Sequence, residues 1–284
     1  MSDAGMNFPP PPPPGGGGGG TPIPSRGFGD LLGMVFEQYK TNIAKLLPIV
    51  AVVVVPLSLI GAFLTGVVFK PEEVLKTTTD PVTGMPTIEI SSGDMTTLIV
   101  GSLVGAALAV IVSALLQAAI MKAAAQAIVG DPVDVTGSYQ WGLRKVGPVI
   151  WISLLIGLIV AGGFILLIIP GIIFMVFLSV AIPALVVENQ RGTGAIGRSW
   201  NLVKGSWWFV LGFVVVTGII TSVVGGIIGA VGGSSWFGIW IADAIAQMIT
   251  GPFAALVSII LYVELRSRHE ALTVETLRSE INAS

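Results

Sequence analysis

Long apolar runs alternate with short polar segments along most of the chain. Leu46 to Phe69, Met95 to Met121, Val146 to Val187, Gly205 to Ala242 and Ala244 to Val263 contain no Lys, Arg, Asp or Glu. A bilayer core of ~30 Å takes ~20 residues of helix at 1.5 Å rise per residue. Lipid offers the backbone no water, so each run must close its own hydrogen bonds as a helix. The longest run, Val146 to Val187, would span roughly 63 Å as one helix, over twice the core thickness. Ile169-Pro170-Gly171 lies inside it, and Pro-Gly ends helices and makes turns, so two crossings are expected there. The pattern predicts six crossings, over about 43–69, 97–119, 148–167, 172–187, 207–231 and 243–263. A Gly232-Gly233-Ser234-Ser235 turn separates the last two. The fourth is short, which implies local thinning or an imperfect turn.

The polar segments fill in the domain plan. Residues 1–26 hold six consecutive prolines and six glycines, which read as extended and flexible chain and predict a disordered tail. A ligand for a proline-recognising domain is the functional alternative to a solvated tail. Residues 27–269 form the membrane domain and 270–284 a second tail. Between the first two crossings, Lys70–Asp94 carries turn residues at Asp80-Pro81 and Gly84. The alternating Thr87-Ile88-Glu89-Ile90 there fits a short strand. The acidic residues of this loop match no calcium-loop spacing.

Charge adds orientation. Six crossings put Arg26, Lys40, Lys45, Lys122, Arg144, Lys145, Arg191, Arg198, Lys204, Arg266, Arg268 and Arg278 on one side, and only Lys70 and Lys76 opposite. Positive charge marks the cytoplasmic side, so both termini are expected in the cytoplasm. Three segments on that side look amphipathic. Phe28, Leu31, Leu32, Val35, Phe36 and Tyr39 make a clean helical stripe. Ile196, Trp200, Val203 and Trp207 make a second, and Val135–Val146 with Tyr139 and Trp141 a weaker third. Each pairs an aromatic with a base: Phe36/Lys40, Trp141/Arg144, Trp200/Lys204. The fold expected is therefore an all-α integral membrane protein, a six-helix transmembrane bundle with amphipathic interfacial elbow helices. Its units would be three elbow-plus-hairpin repeats.

Composition changes little. The chain is 53% hydrophobic and 11% charged, with mean hydropathy +0.90, far too apolar for a water-soluble domain. The net charge of −2 gives no hint of nucleic acid. There is no cysteine and a single histidine, His269, so thiolate sites and histidine clusters are excluded. The start of the chain does not read as a cleavable signal.

The segments "IPALVVENQRGTGAIGRSWNLVKGSWWFVLG" and "LYVELRSRHEALTVETL" resemble the membrane domain found ahead of some bacterial glycerophosphodiester phosphodiesterases, and its stand-alone relatives. "FGDLLGMVFEQYKTNIAKLLP" and "IIPGIIFMVFLSVAIPALVVE" are similar too. The resemblance spans about residues 27–275. It implies a six-helix membrane bundle in the inner membrane of a bacterium and no catalytic residue in this chain, because the phosphodiesterase is a separate soluble barrel.

The chemistry on offer is sparse. Lys40, Arg144, Lys145, Arg198, Trp200, Lys204, Arg266 and Arg268 are candidate contacts for anionic lipid headgroups; the plainer reading is that elbows only anchor the bundle. Gln117, Asp243 and Gln247 are the candidate intramembrane polar site. Asp243 could bind a proton or cation, or sit as an interfacial carboxylate near a helix N-terminus, where the dipole favours it. Ser113 and Gln117 could line a path or bond a neighbouring helix. Gly101/Gly105/Ala109, Gly157/Ala161 and Gly225/Gly229/Gly233 have the spacing of close helix packing within a bundle or an oligomer. Pro252 could kink or break the last crossing. No paired acid and base, metal set or phosphate loop is seen, so no catalytic residue, metal or cofactor is assigned. The expected function is a non-enzymatic membrane-organising or lipid-associated protein; the alternative is a transporter or channel subunit for a small solute, ion or lipid. Partners would be anionic lipids, a second copy or another membrane protein.

Overall fold

The computed structural model describes residues 22–63, 76–79, 86–89, 92–190, 192–233 and 235–283. Most of the Pro/Gly tail, Lys70, Glu72, Glu73, the Asp80–Gly84 turn, Arg191 and Ser234 lie outside the described residues. The chain is an all-α membrane bundle. Its elements are α1 (Phe28–Phe63), β1 (Lys76–Thr79), β2 (Pro86–Glu89), α2 (Ser92–Ile128), α3 (Val135–Leu166), α4 (Ile168–Phe177), α5 (Ala181–Glu188), α6 (Thr193–Val203), α7 (Trp207–Val231), α8 (Trp236–His269) and α9 (Val274–Ala283). Six segments are long and apolar enough to cross a membrane: α1, α2, α3, α4 with α5, α7 and α8. The alternating segment near Thr87 does form a strand, paired antiparallel with β1 so that Thr77 faces Ile88.

Helix α8 is the hub, packing on α1, α2 and α7, while α2 lies along α3 and α3 along α4. The tightest packing is at the charged end. There α2 presents Ala118, Ala119, Ala123, Ala124 and Ala125, and α8 presents Leu256, Ile259, Leu261 and Tyr262, all essentially buried. Alanine lets backbones approach where no hydrophobic drive separates helix from lipid. Gly142 on α3 uses that approach: a Cβ there would sit 3.3 Å from the Leu115 carbonyl oxygen and 3.4 Å from the Ala119 nitrogen.

The elbows differ from expectation in two of three places. The first and second are continuous with the crossings that follow, so α1 and α3 each run unbroken from base to lipid. Nothing in either sequence stops the helix: Pro48 and Pro148 sit where the chain remains helical. Only the third elbow, α6, is separate. Lys204 and Gly205, the latter at φ +93°, make the turn that divides it from α7.

The break inside the long apolar run also shifts. Pro170 was expected in the turn, but it lies in the first turn of α4, where a missing N–H costs nothing. The break is one residue, Leu167, in extended conformation (φ −166°, ψ 156°). Both neighbouring ladders stay tied to it: the Leu167 N–H donates to Gly163 O, and the Gly171 N–H to Leu167 O. The returning crossing is split at Leu178–Val180, with α5 ending on Asn189 in left-handed conformation. Pro252 does not break α8. Pro252 has no N–H to offer one turn back, and the Tyr39 hydroxyl donates to the adjacent Ile249 carbonyl at 2.9 Å.

Both expected tails are shorter than predicted. Ile23 is buried, and its N–H donates to Leu272 O at 2.8 Å, while Pro22 bridges Thr273. Residues 274–283 form α9, which buries Leu277 and Ile281. The two ends of the described chain therefore meet on one face, as an even number of crossings requires.

Small residues matter at fewer places than their spacing suggested. A Cβ on Gly105, Gly157, Gly225 or Gly229 meets nothing within 4 Å, so these positions make no close intrachain packing. Gly163 does: an added Cβ would lie 2.9 Å from the Gly171 Cα and 2.8 Å from the Phe174 ring. Gly163→Ala should force α3 and α4 apart, costing ~1–3 kcal/mol as overpacking does. Gly157→Ala should be neutral. Thermal melts of both variants in detergent check this; equal midpoints would refute it.

Candidate functional site

Three polar features stand out: an ion-paired base, a set of bases outside it, and a groove at membrane depth. The base is built on the last turns of α8. Glu264 is 3% exposed. Its carboxylate accepts the Arg26 backbone N–H at 2.9 and 3.1 Å and Arg268 Nε at 2.7 Å. Arg268 returns a bond from Nη2 to the Arg26 carbonyl at 2.9 Å and lies 3.9 Å over the Phe209 ring. A buried charge is tolerated only when paired and hydrogen-bonded, and this one is satisfied by both ends of the chain.

One turn away Glu188, at the end of α5, gathers a second cluster. It accepts Arg198 Nε at 2.8 Å and the Tyr262 hydroxyl at 2.5 Å, with Arg266 Nε at 3.4 Å. Arg266, 5% exposed, donates to Glu270 at 3.1 Å and in a fork to Glu280 on α9 at 2.5 and 3.2 Å. Arg198 also donates to Glu270. Burial works against charge on Arg198 and Glu270, but their hydrogen bond and their other partners outweigh it. Arg198 is held above its ordinary pKa and Glu270 below the usual carboxylate range. α9 is held further by Lys122, whose ammonium donates to the Ile281 carbonyl at the helix C-terminal end, where a cation is favoured.

The expected headgroup contacts therefore divide. Arg198, Arg266 and Arg268 are engaged with carboxylates and are withdrawn from that role. Lys145 donates to Asn189 and lies near the Trp141 ring. Trp200 is exposed on one side. It stacks on Phe177 at 3.9 Å between centroids, and α6 buries Ala195, Ser199, Leu202 and Val203 instead. Ser199 Oγ donates to the Phe177 carbonyl at 2.7 Å, serving an acceptor freed where α4 ends. Lys40, Arg144 and Lys204 remain exposed, with no carboxylate in ion-pair range among the described residues. Exposed aromatics accompany them: Phe36 one turn before Lys40, Trp151 two turns after Arg144, and Trp208, 79% exposed, just after Lys204.

The intramembrane candidates are brought together in part. Gln117 and Gln247 line one groove of about 250 Å³ with Ser113, Thr250, Gly251 and Ser258. Ser153 Oγ approaches Gln117 Oε1 at 3.4 Å. Asp243 is outside the groove and accepts Gln247 Nε2 at 2.6 Å. It is no helix-start residue: α8 begins at Trp236 with Ser235 as its cap, whose Oγ accepts the Gly238 N–H at 3.1 Å. The dipole's benefit is confined to the first turn, so it does not reach Asp243. Nearer the base on the same two helices, Ile259, Ile260 and Ala123–Ala125 are all buried. Among the described residues no group of acidic or histidine side chains could hold a metal.

Sequence reasoning missed Glu188, Glu264, Glu270 and Glu280. The one available signal was that acids and bases are almost equal in number on a side with many bases. Arg266→Gln should strand Glu280 without its counter-ion, leave Glu188 to Arg198 alone, and cost ~3–5 kcal/mol, the usual penalty for halving a buried pair. Detergent melts measure it, with loss of α9 protection in hydrogen exchange as the local signature. A midpoint unchanged within error would show that the cluster is not coupled to folding.

Residues 127–265, from the end of α2 to the last turns of α8, match a family described as a domain of unknown function, DUF7847. No curated protein and no solved structure matches the chain.

Proposed function

We propose that this is a non-enzymatic, multi-pass protein of a bacterial inner membrane, with both termini cytoplasmic, that organises or associates with lipid by binding anionic headgroups. The observation that carries the reading is the contrast within the base. Most arginines there are spent on internal carboxylates, yet Lys40, Arg144 and Lys204 stand outside the network beside exposed Phe36, Trp151 and Trp208. Aromatics favour the headgroup level, and bases near an anionic surface are attracted by ~1 kcal/mol each before screening. The basic bias of that side supports the cytoplasmic orientation. The resemblance to membrane domains that accompany phospholipid-derived diester chemistry points the same way. The triple variant Lys40→Gln/Arg144→Gln/Lys204→Gln should co-purify at least tenfold less phosphatidylglycerol, read by mass spectrometry, with its melting midpoint retained. Unchanged lipid would reduce these residues to anchors and overturn the proposal.

A second reading, a transporter or channel subunit, is supported by the Gln117–Gln247 groove, since polar side chains at membrane depth mark solute paths. It requires the groove to open past the packed residues at the base. Solute or proton flux in reconstituted vesicles, abolished by Gln117→Leu in a stably folded variant, would favour it. Absence of any flux would leave the lipid-binding reading standing alone.

A further inference from the structure

The α3–α4 hairpin has a tip unlike the other described turn on the same side. Ile165, Leu166, Leu167, Ile168 and Ile169 are 84%, 76%, 68%, 69% and 71% exposed. They are flanked by Phe164 and Pro170, so the turn holds no polar side chain. The α7–α8 turn contains Gly232, Gly233 and Ser235, with Gly233 left-handed at φ +70°. That is the composition of a turn meeting water.

Length separates the two hairpins as well. From the last base before each rising helix, roughly 33 Å of chain runs from Lys145 to Leu167 and roughly 42 Å from Lys204 to Gly232, at 1.5 Å per residue. On the return, roughly 32 Å separates Leu167 from Glu188, against roughly 46 Å from Gly233 to Glu264. Both arms of the α3–α4 hairpin are the shorter.

The backbone irregularity at the tip is kept small. Irregular chain facing lipid leaves groups without partners, each costly. Here the irregularity is a single residue, and Leu167 keeps both its N–H and its carbonyl bonded. Pro170 removes one of the donors that a helix start would otherwise strand. Gly163 against Gly171 lets the arms close without a longer loop. The apolar exposure is also continuous with that of α3 below it, where Leu154 and Leu158 are 52% and 62% exposed.

We propose that the α3–α4 hairpin is a membrane-dipping element, its Ile165–Ile169 tip held among the acyl chains of the leaflet opposite the charged base rather than in water. Its partner is lipid. The flat band of acyl chains suits a smooth aliphatic tip with no aromatic or hydrogen-bonding feature to specify a protein.

The chain has no cysteine, so single-cysteine variants report one position each. Leu167→Cys and, across the turn, Ile165→Cys would be compared with Ser235→Cys in nanodiscs. Both tip cysteines should react with a charged maleimide at least tenfold more slowly than Cys at 235, and at equal rates after unfolding in SDS. A bimane attached at 167 through a membrane-soluble reagent should be quenched by lipids brominated along the acyl chain. Labelling at the rate of position 235 would place the tip in water and overturn the proposal. Slow labelling without bromolipid quenching would show a protein surface, such as a second copy, covering the tip, and would overturn it equally.

Discussion

The structure depends on a carboxylate that must not be left alone. Glu264 lies at 3% exposure where α8 leaves the apolar run, and ionised oxygens there need several donors. Two N–H groups supply three bonds. Two bonds come from the Arg26 amide and one from Arg268, which in turn binds the Arg26 carbonyl. The requirement therefore fixes where the chain enters α1 relative to where it leaves α8. Glu188 repeats the logic one layer over, joining α5, α6 and α8, and Arg266 passes it on to α9. Charged residues here act as fasteners for loops that apolar packing cannot hold, because the loops sit outside the bilayer core.

The same accounting explains the irregular places in the bundle. A helix break or an internal proline frees backbone groups, and at three such places a freed group has a partner. Leu167 keeps its bonds on both sides, Phe177 O takes the Ser199 hydroxyl, and Ile249 O takes Tyr39 beside Pro252. The last two devices come from other elements, α6 reaching α4 and α1 reaching α8.

How much of this the sequence revealed follows from the range of the forces involved. Apolar runs are local, so the six segments of membrane-crossing length and the turn after Val231 could be read directly, and the need to divide Val146–Val187 followed from length alone. The exact break did not, since Pro at the third position of a new helix and Pro in a turn look alike in one dimension. An amphipathic stripe marks a change of surroundings, but a helix can change surroundings without stopping, as α1 and α3 do. The ion pairs were invisible for another reason: Arg198 meets Glu270 72 residues away and Tyr262 meets Glu188 74 away. A count of bases predicted a cationic face, whereas only pairing decides which bases remain available. Gln117 and Gln247 were singled out separately as polar residues in lipid, and the packing of α2 on α8 is what places them on one groove.

The molecule is thus asymmetric along the membrane normal. At the base, alanines and ion pairs join nearly every described element; toward the other end, side chains increasingly face outward, as at Ile165–Ile169 and Val231, 83% exposed. In lipid such exposure is not a defect, because acyl chains are as apolar as the side chains they touch. It does mean that helix association there draws little from burial and rests on shape and on the few polar contacts. The fastened base holds the exposed Lys40, Arg144 and Lys204 in fixed relation.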